Sequence, residues 1–186
     1  MSKIFIEDEE FENLDSLAEG NYENCVFDHC DFSNSTLSEC VFSECEFYNC
    51  NLTTAGITNT AFRDVKFKDC KLMGLYFNSC NAFLLEFEFE NCNLNHSSFF
   101  KLKLKNTKFT DCTLHEVDFT ETDLSGAKFE NCDLRLAAFE NSILEKTDFR
   151  TAYNYSIDLE ANRISKAKFS TAGLAGLLGK YDIVIE

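Results

Sequence analysis

The side chains with the most reactive chemistry in this 186-residue sequence are ten cysteines and three histidines. Thiolates and imidazoles bind soft and borderline metals, and thiols exchange to disulfides, but each use demands partners at a matching spacing. The cysteines stand at 25, 30, 40, 45, 50, 70, 80, 92, 112 and 132, in steps of five, ten, twelve or twenty. No C-x-x-C pair occurs, so the pattern fits neither a zinc knuckle nor a redox dithiol. His29 lies far from His96 and His115 in sequence, and Glu116 stands beside His115. An exposed pair such as His96 and His115 lacks the outer hydrogen bonds that orient metal ligands. There is no glycine-rich phosphate loop, no Ser-His-Asp order and no H-E-x-x-H. The expectation is no catalytic residue, no cofactor, no metal and no enzyme.

What sets the cysteines in fives is a repeat that runs through most of the chain. Every fifth residue from Phe89 to Phe149 alternates Phe and Leu without an error. An α-helix would rotate such a series around its axis, and a flat strand would alternate its faces, so the chain must bend once per repeat. Two residues before each of these centres stands a small or apolar side chain, such as Cys92, Ser97, Cys112 and Ala127. Positions i and i−2 point the same way on a short extended stretch, and the remaining residues turn the corner. Each pentapeptide is then one side of a coil. Columns twenty apart, such as Phe27, Phe47 and Phe67, then Phe89, Phe109 and Phe129, indicate four sides per coil. Coils stacked about 4.8 Å apart would let these rings lie over one another.

All ten cysteines fall at the inward i−2 position, and Cys30, Cys50, Cys70, Cys92, Cys112 and Cys132 form one column. Parallel side chains one strand apart do not bring Cβ atoms to the roughly 3.8 Å that a disulfide prefers, so free thiols acting as small apolar residues are expected. Their abundance points to the reducing cytoplasm. The interior positions hold no ionisable group other than thiols.

Segments such as CDFSN, TDFRT, TDLSG and NCDLR resemble the A(D/N)LXX signature of the pentapeptide repeat family, over roughly residues 21 to 170. The resemblance implies an all-β fold, a right-handed quadrilateral β-helix. The tail, EANRISKAKFSTAGLAGLLGKYDIVIE, is most similar to that of the microcin immunity protein, within a branch that includes the Qnr quinolone-resistance proteins and MfpA. That branch implies a dimer that imitates duplex DNA, binds type II topoisomerase (DNA gyrase) and protects it from quinolone- or microcin-type poisons.

Residues 1–20 lie outside the repeat and are expected to cap the first coil, with Ile4 to Ile6 as a strand and Phe11, Leu14 and Leu17 in a turn or short helix. The repeat body spans 21–170, with a two-residue phase slip within 78–88. There Ala82 or Leu84 is the centre, and Phe87 or Phe89 starts the next Phe side. Residues 171–186 form a C-terminal cap or dimerisation segment. A short helix capped by Ser170 or Thr171 would present Leu174, Leu177 and Leu178, followed by an apolar tail with Ile183 and Ile185. These five residues either cover the last coil or pair with a second copy as a homodimer. No stretch reaches the roughly 18 apolar residues of a membrane span, and none resembles a signal peptide.

The formal charge of −15 is unevenly placed. From Ile4 to Phe62 the chain has thirteen acids and no Lys or Arg. That sign disfavours direct nucleic-acid binding, whereas six acids between Asn21 and Phe62, over two coils or about 10 Å, approach the charge density of a duplex. Asp28, Asp31, Glu39, Glu44 and Glu46 are thus candidate partner-binding residues. Lysines after Phe62, among them Lys66, Lys68, Lys101 and Lys105, interrupt this surface. Tyr76, Phe83, Leu85 and Phe100 fall at outward positions near the slip and are the second candidate surface, for a protein-interaction scaffold with an unrelated partner.

Overall fold

The computed structural model describes residues 4–181, 183 and 184, and the chain there is one parallel β-solenoid. Strands β1 (Ile4–Glu7), β3 (Gly20–Glu23), β5 (Val41–Ser43) and β7 (Ala61–Arg63) pair in that order. A second sheet runs β2 (Glu10–Glu12), β4 (Val26–Asp28), β6 (Glu46–Tyr48), β8 (Val65–Lys68), β9 (Phe87–Glu90), β10 (Lys108–Thr110) and β11 (Lys128–Glu130). Each coil has four sides. The first side carries inward Tyr22, Phe42 and Phe62, and the second Phe27, Phe47 and Phe67. The third carries Leu52, Leu72 and Leu94, and the fourth Phe77, Phe99 and Phe119.

Register confirms the twenty-residue columns: Phe27 pairs with Phe47, Phe47 with Phe67 and Phe109 with Phe129. On the second side the rings stack in parallel, Phe27 on Phe47 at 4.6 Å and Phe109 on Phe129 at 4.8 Å between centroids. Rings of the fourth side meet them edge-on, as Phe99 meets Phe109 at 82°. Both arrangements suit the aromatic quadrupole, and the core is a continuous lattice of such contacts.

The corners explain the polar residue two places after each centre. Asn34, Asn49, Asn59, Asn91 and Asn131 all have φ between 49° and 56°. This left-handed region costs most residues about 1–2 kcal/mol, and Asn and Asp tolerate it best. Corner side chains also tie successive coils: Asn49 Nδ2 donates to Asp28 Oδ1 at 2.9 Å and Asn131 Nδ2 to Asp111 Oδ1 at 3.2 Å.

The phase slip is located by pairing. Ala61 still bridges Asn81, twenty residues on, whereas Val65 pairs with Phe87, twenty-two on. The extra residues therefore lie between Asn81 and Phe87, and Phe89 continues the Phe column of the second side. Neither Ala82 nor Leu84 serves as an inward centre, for both are exposed. Phe87, at an i−2 position, fills the space instead, with its ring 5.4 Å from Phe62 and 5.2 Å from Phe77.

At the N-terminal end, residues 4–20 are a shortened coil. Ile4 pairs with Gly20 and Phe11 with Phe27, sixteen residues apart, and Phe11 lies in strand β2 rather than a helix. At the other end, 3₁₀ helices Thr171–Leu177 and Gly179–Tyr181 close the last coil. Ser170 Oγ accepts from Gly173 N, as expected of a cap. Gly173 and Gly176 lie against Tyr155, where an added Cβ would collide with its Oη and with its carbonyl oxygen respectively. Tyr155, rather than Asn154, fills the interior here, with its ring 5.8 Å from both Phe149 and Phe169.

Candidate functional site

The thiols are interior packing groups. All ten are free and buried, and each of the central column donates to carbonyls, Cys50 Sγ to Phe27 O at 3.3 Å and to Tyr48 O at 3.2 Å. Burial pushes the Cys45 thiol up to about 12, so it is no nucleophile at neutral pH. The histidines diverge: His96 Nδ1 lies 3.5 Å from Glu116, while His115 Nε2 lies 2.9 Å from Asp133 Oδ2. Among the described residues no group of three or more His, Cys, Asp or Glu is placed to hold a metal ion.

The five candidate acids all stand near the N-terminal end, but they are distributed around the rod. Asp28 and Glu46 project from the second side in β4 and β6. Asp31 projects from the third side. Glu39 and Glu44 are corner residues, with φ of 64° and 55°. Several are fixed as anions. The Asn49 amide holds Asp28 below the usual carboxylate range, aided by His29 at 3.0 Å. The Ser33 hydroxyl and backbone N–H do the same for Asp31. Glu46 is lowered by the Tyr48 hydroxyl and by Lys66, whose Nζ is 2.9 Å away.

Lysines that interrupt the acidic surface are mostly consumed by ion pairs between coils. Lys68 meets Glu90 at 2.8 Å, Lys108 meets Glu88 at 3.2 Å, Lys101 meets Glu121 at 3.5 Å and Lys105 meets Asp123 at 3.3 Å. Exposed pairs of this kind add little stability, but they cancel charge locally.

The apolar candidates do not form one patch. Tyr76 is 66% exposed on the fourth side, where half-buried Phe100 is covered by Lys101 Nζ at 4.6 Å from the ring centroid. Phe83, 65% exposed, lies on the first side with Arg63 5.9 Å from its ring centroid. Leu85 is half-buried, and it is Leu84 that stands out at the corner, 64% exposed with φ 59°. Reading i+2 positions as left-handed corners would have found Leu84 in the sequence. At the C-terminus Leu177 is buried and Leu178 half-buried, whereas Leu174 and Ile183 are 46% and 55% exposed; Ile185 falls outside the described residues.

One corner column divides by charge. Between the first and second sides, Asp8, Asn24, Glu44 and Asp64 are followed by Asn106, Gly126, Lys146 and Lys166, all at positive φ; the Val65–Phe87 pairing sets exposed Glu86 at the level between the two groups and leaves Leu84 in the inserted stretch. Beside this column on the first side stand Glu7, Glu23 and Arg63 below and Lys103, Lys105 and Arg163 above, the last two paired with Asp123 and Glu145. A count of acids before Phe62 captures only half of this polarity.

Two solved structures share the architecture. A trypsin-treated form of QnrB1, described as a plasmid-mediated fluoroquinolone resistance protein, is 18% identical, with 99% of this chain and 98% of that one covered at a TM-score of 0.51. HetL, a pentapeptide repeat protein involved in heterocyst differentiation regulation from the cyanobacterium Nostoc sp. strain PCC 7120, is 15% identical over 89% of this chain and 85% of its own, with a TM-score of 0.52. No curated protein matches the chain significantly in sequence. The family model for the pentapeptide repeat region matches residues 21–88 and 74–149, which takes in both phases of the repeat and the slip between them. With its four-sided coils, inward Phe, Leu and Cys columns and left-handed corners, the chain belongs to the pentapeptide repeat family.

Proposed function

We infer that this chain is a non-enzymatic binding protein of the cytoplasm that imitates duplex DNA toward a type II topoisomerase such as DNA gyrase, and so shields the enzyme from quinolone- or microcin-type poisons. The observation that carries this reading is the acidic N-terminal half of a rigid rod, whose carboxylates project from several sides and are held ionised by Asn49, Ser33 and Tyr48. A DNA-binding saddle is basic, and fixed acids on a preorganised scaffold attract it without a folding cost. Homodimerisation through exposed Leu174 and Ile183 belongs to the same reading.

The test is gyrase supercoiling with purified protein, with and without a quinolone. Inhibition or protection at micromolar protein supports the reading. The variant with Asp28, Asp31, Glu39, Glu44 and Glu46 changed together to Asn or Gln should keep its circular dichroism and lose the effect. Absence of any effect from the unaltered protein overturns the proposal. A second reading, a scaffold for an unrelated protein partner, is favoured by the exposed Tyr76 and Phe83, and it predicts that Tyr76→Ser or Phe83→Ser abolishes capture of that partner while the acid variant does not.

A further inference from the structure

We propose that the free edge of strand β2, at the N-terminal end of the rod, takes up an extended segment of another protein in which lysine or arginine alternates with apolar residues, added in parallel as a further strand. The 3₁₀ helices close the C-terminal end of the solenoid, whereas β2 is the last strand of its sheet and nothing among the described residues lies beneath it. In this sheet the residue before each inward Phe bonds with both backbone groups to the coil on its N-terminal side: Glu46 N donates to Cys25 O at 3.0 Å, and Asp148 O accepts from Phe129 N at 3.0 Å. Glu10 stands first in this column, paired with Val26 and through it with Glu46, so its N–H and C=O both point out of the end. An open edge of this kind is a template for one more strand.

The side chains of this end select the strand that fits. Inward Phe11 is half-buried, while Tyr22, Phe27, Phe32 and Leu37 of the next coil are at most 1% exposed. Phe11 stacks on Phe27 at 5.0 Å and has no ring on its other side, and Ile6, Leu14 and Leu17 around it are likewise half-covered. Outward, Glu10 and Glu12 flank Phe11 with no cation beside them among the described residues. Residues 4–20 hold seven acids and no base, so this end repels the same end of a second copy and attracts a basic partner. The solenoid already contains the match. In the same two columns Lys66 meets Glu46 at 2.9 Å, Lys108 meets Glu88 at 3.2 Å and Lys68 meets Glu90 at 2.8 Å, with Phe67 stacked on Phe47 at 5.0 Å. A Lys-Phe-Lys segment beneath β2 would repeat those contacts, its ring continuing the Phe column and its two lysines meeting Glu10 and Glu12. The site lies on the end of the rod rather than on its sides, and it depends on neither the topoisomerase reading nor the C-terminal segment.

The probe is the fluorescein-labelled peptide Lys-Val-Lys-Phe-Lys-Val-Lys, titrated with the full chain by fluorescence anisotropy at physiological salt. Its scrambled form, Lys-Lys-Lys-Lys-Val-Phe-Val, has the same charge and should bind at least tenfold more weakly. Methylating the backbone nitrogen of the phenylalanine, the donor that would meet Glu10 O, should weaken binding at least tenfold as well, and so should Glu10→Gln with Glu12→Gln in the protein. Hydrogen exchange at Glu10 N–H should slow in the complex. The variant with Asp28, Asp31, Glu39, Glu44 and Glu46 changed to Asn or Gln should still prefer the alternating peptide to the scramble, whatever its effect on gyrase. No binding, equal binding of the scramble, or an unchanged affinity after methylation would each overturn the proposal. So would a dimer of the unaltered protein that the peptide disperses, because the edge would then belong to a second copy.

Discussion

Removing one ring from the centre of the aromatic lattice should cost about twice as much as removing one from its end. Phe109 is fully buried, stacked on Phe89 at 5.2 Å and on Phe129 at 4.8 Å, with edge contacts to Phe99 and Phe119 near 6 Å. Buried Phe→Ala changes cost about 3–5 kcal/mol, and each well-placed aromatic pair contributes about 0.5–1.5 kcal/mol beyond burial. With stacking on both sides, Phe109→Ala should sit near the upper part of that range, about 4–5 kcal/mol. Phe169 is only partly buried, stacked on Phe149 at 5.4 Å and otherwise in contact with Tyr155. Its replacement by Ala should cost about 2 kcal/mol. For a chain of this size the melting temperature should fall by roughly 2–4 °C per kcal/mol, so circular dichroism melts at matched concentration separate the two variants easily. Phe109→Leu keeps most of the volume and loses the stacking, and should fall between them. Equal shifts for Phe109→Ala and Phe169→Ala would refute the idea that stability accumulates from neighbours on both sides.

Three further outcomes follow from single sites. Thiol titration of denatured protein prepared without reductant should recover all ten cysteines, and the folded protein should react far more slowly; far fewer than ten would show bridges that the inward column does not contain. Tyr155 Oη is buried without a partner, so Tyr155→Phe should be neutral or stabilise by about 1 kcal/mol, and it should partly rescue Gly173→Ala, whose new Cβ meets that oxygen. Burial opposes ionisation of Asp133, yet hydrogen bonds from Asn154 and contact with His115 hold its pKa below the ordinary value. A depressed folded pKa gives stability that is present above the unfolded value near 3.9 and lost as pH falls through the folded one. Asp133→Asn should therefore lose less stability than the unaltered chain between about pH 5 and pH 2 in urea titrations, and an unchanged acid limb would remove Asp133 as a contributor.

The repeat was legible because inward residues are chosen by volume and shape, and a coil of twenty residues brings the same choice back at the same place. Phe27, Phe47 and Phe67 fall into one column from their spacing alone, and their strands pair in that register. Irregular places were less legible for a physical reason: several side chains can fill one hole. At the slip Phe87 took a space that Ala82 left, and at the last coil Tyr155 took one that Asn154 left, and neither replacement is encoded by the period. The first twenty residues misled in the same way. Phe11, Leu14 and Leu17 have a helix-like spacing, but parallel pairing to Val26–Asp28 satisfies the backbone of Glu10–Glu12. Charge was legible as a count along the chain and much less so as a surface. Five acids close in sequence are turned by successive corners onto different sides, whereas Asp8 and Lys166, far apart in sequence, lie in one column.

That redistribution decides what sort of surface the rod offers. A duplex carries charge around its circumference, and a protein that clasps it touches more than one face. Acids on the second and third sides and at two corners present negative charge to each wall of such a clasp, which a flat acidic patch would not. Along the first side and its corner the acids thin out beyond Glu86, and Lys103, Lys146 and Lys166 follow. A basic saddle would meet attraction over the N-terminal half of that side and repulsion beyond it, with screening limiting both to about 8 Å at physiological salt. On the proposed reading, a basic partner would therefore engage the rod N-terminal end first.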